Sequence, residues 1–219
     1  MPLRIKICGV TRPEDVDLAV ELGADAVGLN FYPHSPRYVD EERAVRLVRA
    51  LPPLITPVGV FVEPTIDQLS FWWNRLGVRT FQVHALDPGS LAPTFAAMSW
   101  SVILAHAVTD EDSLERLTGM VRDWRTGAAS IAKPAVLVDA LVPGQHGGTG
   151  QTVPWRLLQN FDPGVPLILA GGLTPENVAE AVRTVRPFGI DVASGVERSS
   201  GIKDAAKMKR FVENARSAC

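Results

Sequence analysis

Eight short apolar runs recur along the chain, each followed by a stretch that reads as helix. That alternation limits the fold more than any other feature. The runs cover residues 5–8, 26–31, 57–62, 79–84, 100–105, 135–139, 166–170 and 189–193. Each is short, rich in branched residues and almost unbroken by polar positions, as expected for parallel strands buried on both faces. The intervening segments carry helix punctuation. Thr11-Arg12-Pro13-Glu14 has capping-box spacing, and Gly23 suits the end of that helix. Asp40 opens a second helix with Ala44, Leu47, Val48 and Leu51 on one face. Thr65 opens a third, in which Leu69, Trp72, Trp73 and Leu76 repeat at helical spacing before Gly77. Thr174-Pro175 reads as a cap followed by a first-turn proline. Residues 110–124 and 203–215 read as helix, with a short helical piece near Trp155 and Leu158, and 85–99 is less regular.

Eight strand–helix units in 219 residues fit a small, single-domain (β/α)8 TIM barrel across residues 1–219. A doubly wound open sheet is the competing architecture. No linker or low-complexity tract divides the chain. With 46% hydrophobic and 21% charged residues the sequence can build a real core. A net charge of −2 argues against a general nucleic-acid binder or a membrane-surface protein. No apolar run reaches membrane-spanning length, and residues 1–4 lead into a strand without a signal-peptide core. Two cysteines at opposite ends, Cys8 and Cys219, make no disulfide framework, so a cytoplasmic setting is expected.

In a parallel barrel, ligands bind at the C-terminal ends of the strands. Cys8 and Asp139 end the first and sixth runs. A thiol and a carboxyl facing one pocket can transfer protons on a substrate. Each also has a plain alternative: a free cysteine is often a small buried hydrophobe, and a lone aspartate is often a cap. Two glycine turns follow the seventh and eighth runs, Gly171-Gly172 and Ser194-Gly195. Free backbone N–H groups in such turns bind anions, and this pair of barrel loops is a frequent phosphate site. Gly147-Gly148-Thr149-Gly150 follows the sixth run and lacks the Gly-Lys-Ser/Thr of a P-loop; it reads either as a lid or cradle over substrate or as a plain surface loop. Arg37 lies in a loop stiffened by Pro33 and Pro36, where its guanidinium could grip a carboxylate in two-pronged fashion. His84 ends the fourth run and either lines the pocket or is structural. His34, His84, His106 and His146 show no metal-binding spacing, so no metal is expected, and no Gly-x-Ser-x-Gly elbow is present.

Taken in order, these motifs resemble the phosphoribosylanthranilate isomerase family. The resemblance runs through Lys6-Ile7-Cys8-Gly9, Gly28-Leu29-Asn30-Phe31, Ser35-Pro36-Arg37-Tyr38, Val58-Gly59-Val60-Phe61 and Gln82-Val83-His84. It continues with Leu137-Val138-Asp139, Gly147-Gly148-Thr149-Gly150, Ala170-Gly171-Gly172-Leu173, Ser194-Gly195-Val196-Glu197 and Gly201-Ile202-Lys203-Asp204. The resemblance implies a (β/α)8 barrel without metal or organic cofactor, performing an Amadori rearrangement in tryptophan biosynthesis. It implies Asp139 as general acid, Cys8 as general base and Arg37 against the anthranilate carboxylate. It also implies substrate contacts at Gln82, His84, Gly148, Gly171, Gly172, Ser194 and Gly195. The expected partner is a small phosphosugar–anthranilate substrate, with no nucleic acid or membrane, and the expected assembly is a monomer or homodimer. Ala85-Leu86 and Val153-Pro154-Trp155 depart from the family's usual glycine and Phe-Asp-Trp. A bifunctional histidine/tryptophan-pathway isomerase would carry aspartate in place of Cys8, and a ribulose-phosphate epimerase would need metal ligands on several strands. A barrel that only binds phosphorylated ligands would not need the thiol and the acid.

Overall fold

A computed structural model describes residues 2–127, 134–139 and 155–218. Eight parallel strands close into a barrel in chain order: β1 (Arg4–Cys8), β2 (Ala26–Asn30), β3 (Thr56–Val62), β4 (Thr80–His84), β5 (Ser101–Ala107), β6 (Ala135–Asp139), β7 (Leu167–Leu169) and β8 (Gly189–Val192). β1 closes the ring by pairing on both sides, with Cys8 opposite Gly28 and Ile7 opposite Val192. The open-sheet alternative is thereby excluded. Around the barrel run α1 (Pro13–Glu21), α2 (Glu41–Ala50), α3 (Ile66–Leu76), α4 (Ala92–Met98), α5 (Glu111–Gly127), α6 (Trp155–Leu158), α7 (Val178–Val185) and α8 (Ala205–Arg216). None of these helices is long and apolar enough to cross a membrane.

Side chains alternate strictly along each strand, as the pleat requires. Ile5, Ile7, Phe81, Val83, Ile190 and Val192 face outward into the layer between barrel and helices. The opposite parity fills the barrel, where Val58, Ile103, Ala105, Leu137, Ile168 and Ala170 form a separate apolar cluster. Aromatic rings seal the outer layer on one side. Phe81 lies 5.0 Å from Trp100 and Phe95 lies 5.2 Å from Trp124, centroid to centroid. Burying each such ring contributes about 1.5–3 kcal/mol. Trp72 stacks on Phe31 at 3.8 Å, so the tryptophans of α3 pack the helix against the barrel as its periodicity suggests.

Several sequence-read helix boundaries hold and one does not. Asp40 accepts from the Arg43 N–H, and Thr65 forms a full capping box with Gln68. Thr11 does not cap α1: its hydroxyl donates to the Gly201 carbonyl, and the helix starts at Pro13 behind Arg12, whose guanidinium pairs with Asp15. Thr174 keeps its capping role: its Oγ1 accepts from the Glu176 N–H at 3.2 Å and its carbonyl from the Val178 N–H, while its own N–H donates to the Asn177 side chain and the regular helix begins at Val178. At Thr11 a loop contact outcompetes the local capping signal. A hairpin, β9 (Glu197–Ser199) with β10 (Ile202–Lys203), was not expected from the sequence and lies between β8 and α8.

Candidate active site

Parallel strands in a closed barrel put all their C-terminal residues on one rim. Cys8, His84 and Asp139 each end a strand and so share that rim. Cys8 and Asp139 also follow the inward parity of Lys6 and Leu137. Cys8 is a free, buried thiol. Burial pushes its pKa up, Asp191 pushes it further, and Lys6 and Lys203 pull it down, leaving the thiol above its ordinary range.

Below the rim, the interior turns polar on one side. Lys6 Nζ donates to Asp191 Oδ1 and to Gln82 Oε1, each at 2.8 Å. Burial opposes the ammonium charge, yet Asp191 and Cys8 outweigh it and the Lys6 pKa is raised. Gln82 continues the chain, its Nε2 lying 3.0 Å from His84 Nε2. Since the amide nitrogen donates only, the imidazole Nε2 accepts there and its proton sits on Nδ1. Gln82 is 3% exposed and spends its amide on Lys6 and His84, so it lies beneath the mouth rather than in it.

A second buried charge cluster braces Arg37. Its Nε and Nη2 donate to the two Glu197 oxygens at 2.8 and 2.7 Å, a bidentate fork. Lys203 Nζ donates to Glu197 Oε1 at 2.9 Å, to the Cys8 carbonyl at 2.6 Å and to the Ala193 carbonyl at 3.0 Å. Burial alone would raise the Glu197 pKa, but Arg37 and Lys203 hold it below the usual carboxylate range. The same fork raises Arg37, and desolvation lowers Lys203. Gly9 makes room for this arrangement. A side chain there would overlap Arg37 Cδ and come within 3.2 Å of Cγ, and the residue sits at φ +68°. The Cys-Gly pair thus has a physical reason: the residue after the thiol must be bare for Arg37 to cross it.

Across the mouth, Asp139, Gly171, Gly172, Asp191, Ser194 and Gly195 line one cleft. Gly171 and Gly172 adopt positive φ, +80° and +63°. The two glycine turns touch backbone to backbone, because a Cβ on Gly195 would come within 2.9 Å of the Leu173 carbonyl carbon. Asn177 fixes the first turn by donating to the Gly172 carbonyl at 2.9 Å and accepting from Thr174 N–H. A larger cavity of about 390 Å³ lies at the opposite, N-terminal end, lined by Ile5, Ala26, Val58, Ile103 and Ile168 among others. It is mostly apolar, and neither Cys8 nor Asp139 lines it.

The barrel therefore gathers Cys8, Asp139, His84, Arg37 and both glycine turns at one end, with Gln82 one layer below. Gly148 lies outside the described residues. Sequence reasoning gave no role to Lys6, Asp191, Glu197 or Lys203. The signal for the first two was present, since a charged residue at inward parity in a buried strand must find a partner. Among the described residues no three His, Cys, Asp or Glu side chains group to hold a metal ion.

Known proteins share both this sequence and this geometry. The family model for N-(5'-phosphoribosyl)anthranilate (PRA) isomerase matches residues 5–214. An N-(5'-phosphoribosyl)anthranilate isomerase of Myxococcus xanthus is 42% identical over 218 residues, covering 99% of this chain and 98% of its own. The crystal structure of phosphoribosyl anthranilate isomerase from Thermotoga maritima superposes with a TM-score of 0.87 at 37% identity, covering 98% of this chain and 99% of that one. Another structure of the enzyme, in complex with reduced 1-(o-carboxyphenylamino)-1-deoxyribulose 5-phosphate, gives 0.83 at 36% identity over 98% and 99% of the two chains. Full-length identity at this level, on a barrel whose mouth carries the motif residues in place, means that the chain belongs to the phosphoribosylanthranilate isomerase family.

Proposed function

We infer that Cys8 and Asp139 perform the two key proton transfers of phosphoribosylanthranilate isomerisation, the reaction of the family to which the chain belongs. The protein is an aldose–ketose isomerase of tryptophan biosynthesis. It turns N-(5'-phosphoribosyl)anthranilate into 1-(2-carboxyphenylamino)-1-deoxyribulose 5-phosphate, an Amadori rearrangement that neither adds nor removes atoms. Asp139 acts as general acid and protonates the furanose ring oxygen. The C1–O bond breaks as the anilino nitrogen lone pair forms C=N, opening the sugar to a protonated Schiff base. Cys8, as thiolate, takes the proton from C2. The released pair forms C1=C2 and neutralises the nitrogen, giving an enolamine. Protonation at C1 and loss of the enol proton yield the ketone.

The observation that supports this reading most is the cleft that Asp139 shares with both glycine turns. Phosphate held by the N–H groups of Gly171-Gly172 and Ser194-Gly195 sets the sugar beside the acid. Arg37 takes the anthranilate carboxylate. With Nε and Nη2 committed to Glu197, its Nη1 is the edge that meets the substrate. His84 meets the substrate at the rim, Gln82 supports it from below, and Gly148 contributes from the loop after β6. We also take residues 1–219 as one barrel domain, monomeric or homodimeric, working in the cytoplasm without metal or organic cofactor. The test is loss of phosphoribosylanthranilate fluorescence with purified protein, with and without chelator. Turnover unaffected by chelator is expected. No turnover, or turnover abolished by chelator and restored by a metal, contradicts the reading.

A further inference from the structure

Most of the barrel interior is hydrocarbon, but directly below Cys8 it holds a buried ion pair. Lys6 is two residues before Cys8 and so faces the same way. It is 4% exposed, and its partner Asp191 is 7% exposed. A buried pair in a barrel that apolar residues could fill is a poor device for stability, because desolvating two charges offsets their attraction. Its position suggests a different use. Gly28 stands opposite Cys8 on β2. A methyl group there would lie 2.8 Å from Cys8 Sγ and 3.1 Å from Lys6 Nζ. The thiol and the ammonium thus converge over one bare stretch of backbone, with Asp191 gripping the ammonium at 2.8 Å.

We propose that Lys6 and Asp191 are positioning residues that set the ionisation of Cys8: the ammonium favours the thiolate, and the carboxylate fixes the ammonium while offsetting part of its field. The proposal rests on the reading of Cys8 as the base. The other charged groups facing the thiol stay constant in the test. Lys203 on β10 bonds the Cys8 carbonyl, Arg37 after β2 is neutralised by Glu197 on β9, and Asp139 ends β6 on the same rim. His84 on β4 connects to Lys6 through Gln82. Opposite charges at close range in a dry interior shift a thiol in opposite directions. Lys6 and Asp191 therefore make separable and opposed contributions.

The experiment is the pH dependence of Cys8 alkylation by iodoacetamide in a Cys219→Ser background, which leaves a single reactive sulfur. Changes in access scale the whole curve, whereas changes in charge move its midpoint. Lys6→Met should raise the midpoint by about one pH unit, slowing alkylation roughly tenfold at a fixed pH below it. Asp191→Asn should lower it. The double variant Lys6→Met/Asp191→Asn leaves no unpaired charge in the barrel and keeps the test open if Lys6→Met alone does not fold. Its midpoint should lie above that of Asp191→Asn. Midpoints that stay put, or that move the same way in both single variants, overturn the proposal, as does a double variant at or below Asp191→Asn. A wild-type kcat in Cys8→Ala would instead sink the base assignment, and thiol titration does not depend on that result.

Discussion

Substituting Gly195 by alanine should separate phosphate binding from chemistry. A Cβ at Gly195 would overlap the Leu173 carbonyl oxygen and come within 2.9 Å of its carbon and 3.2 Å of Thr174 Cα. Ordinary carbon–carbon contacts are about 3.5–4.0 Å, so the two glycine turns must part by roughly 1 Å. A backbone N–H to phosphate bond near 2.9 Å would then stretch past hydrogen-bond range. Losing one such charge-assisted bond costs about 1.5–3 kcal/mol, or roughly 10- to 10²-fold in affinity. Overpacking costs about 1–3 kcal/mol of stability, offset by about 0.4–1 kcal/mol from a stiffer unfolded chain, so the fold should survive. The assay is steady-state kinetics by substrate fluorescence, with inorganic phosphate as competitive inhibitor and a thermal melt as control. KM and the phosphate inhibition constant should both rise, with a smaller change in kcat. A folded Gly195→Ala protein with both constants unchanged would refute the phosphate grip. Gly28→Ala is the contrasting case. Its methyl crowds Cys8 Sγ rather than the turns, so kcat should fall by about 10²-fold while the phosphate constant holds.

Arg37→Ala should chiefly raise KM, as expected if the guanidinium binds the substrate carboxylate, as proposed, rather than moving a proton. An unchanged KM, measured alongside normal binding of anthranilate-like carboxylates, would remove that contact. Glu197 gives a pH prediction. Its folded pKa is depressed. The stability it contributes is complete above the ordinary carboxylate range and is lost as pH falls through that range towards the depressed folded value. Glu197→Gln should flatten that part of the curve of unfolding free energy against pH in urea melts. A curve parallel to wild type would show that the Arg37–Glu197–Lys203 cluster does not couple to folding.

The barrel was legible because burial on both faces leaves a plain mark: eight apolar runs separated by helical stretches. The rim followed from it, since a residue ending a parallel strand has one place to be. The positions of Cys8 and Asp139 were readable for that reason, and those of the glycine turns because the ends of β7 and β8 meet the same rim. Lys6 and Asp191 were harder to see. Each is a single charge in a strand, and only closure of the ring brings β1 beside β8 and makes the two a pair. Glu197 and Lys203 sit in a hairpin of three- and two-residue strands, too short for any periodicity. The same hairpin region defeats the capping signal at Thr11, whose hydroxyl is drawn to the Gly201 carbonyl. Local rules failed where the chain folds back on itself to build the site, as expected where tertiary contacts override propensity.

The most direct measurement compares kcat for Cys8→Ala and Asp139→Asn with wild type on phosphoribosylanthranilate, each variant first shown to melt like the parent. Loss of about 10²-fold or more in both is predicted for a thiol base and a carboxyl acid working from opposite sides of the barrel mouth. A native-like variant of either kind that turns over at the wild-type rate would contradict the account.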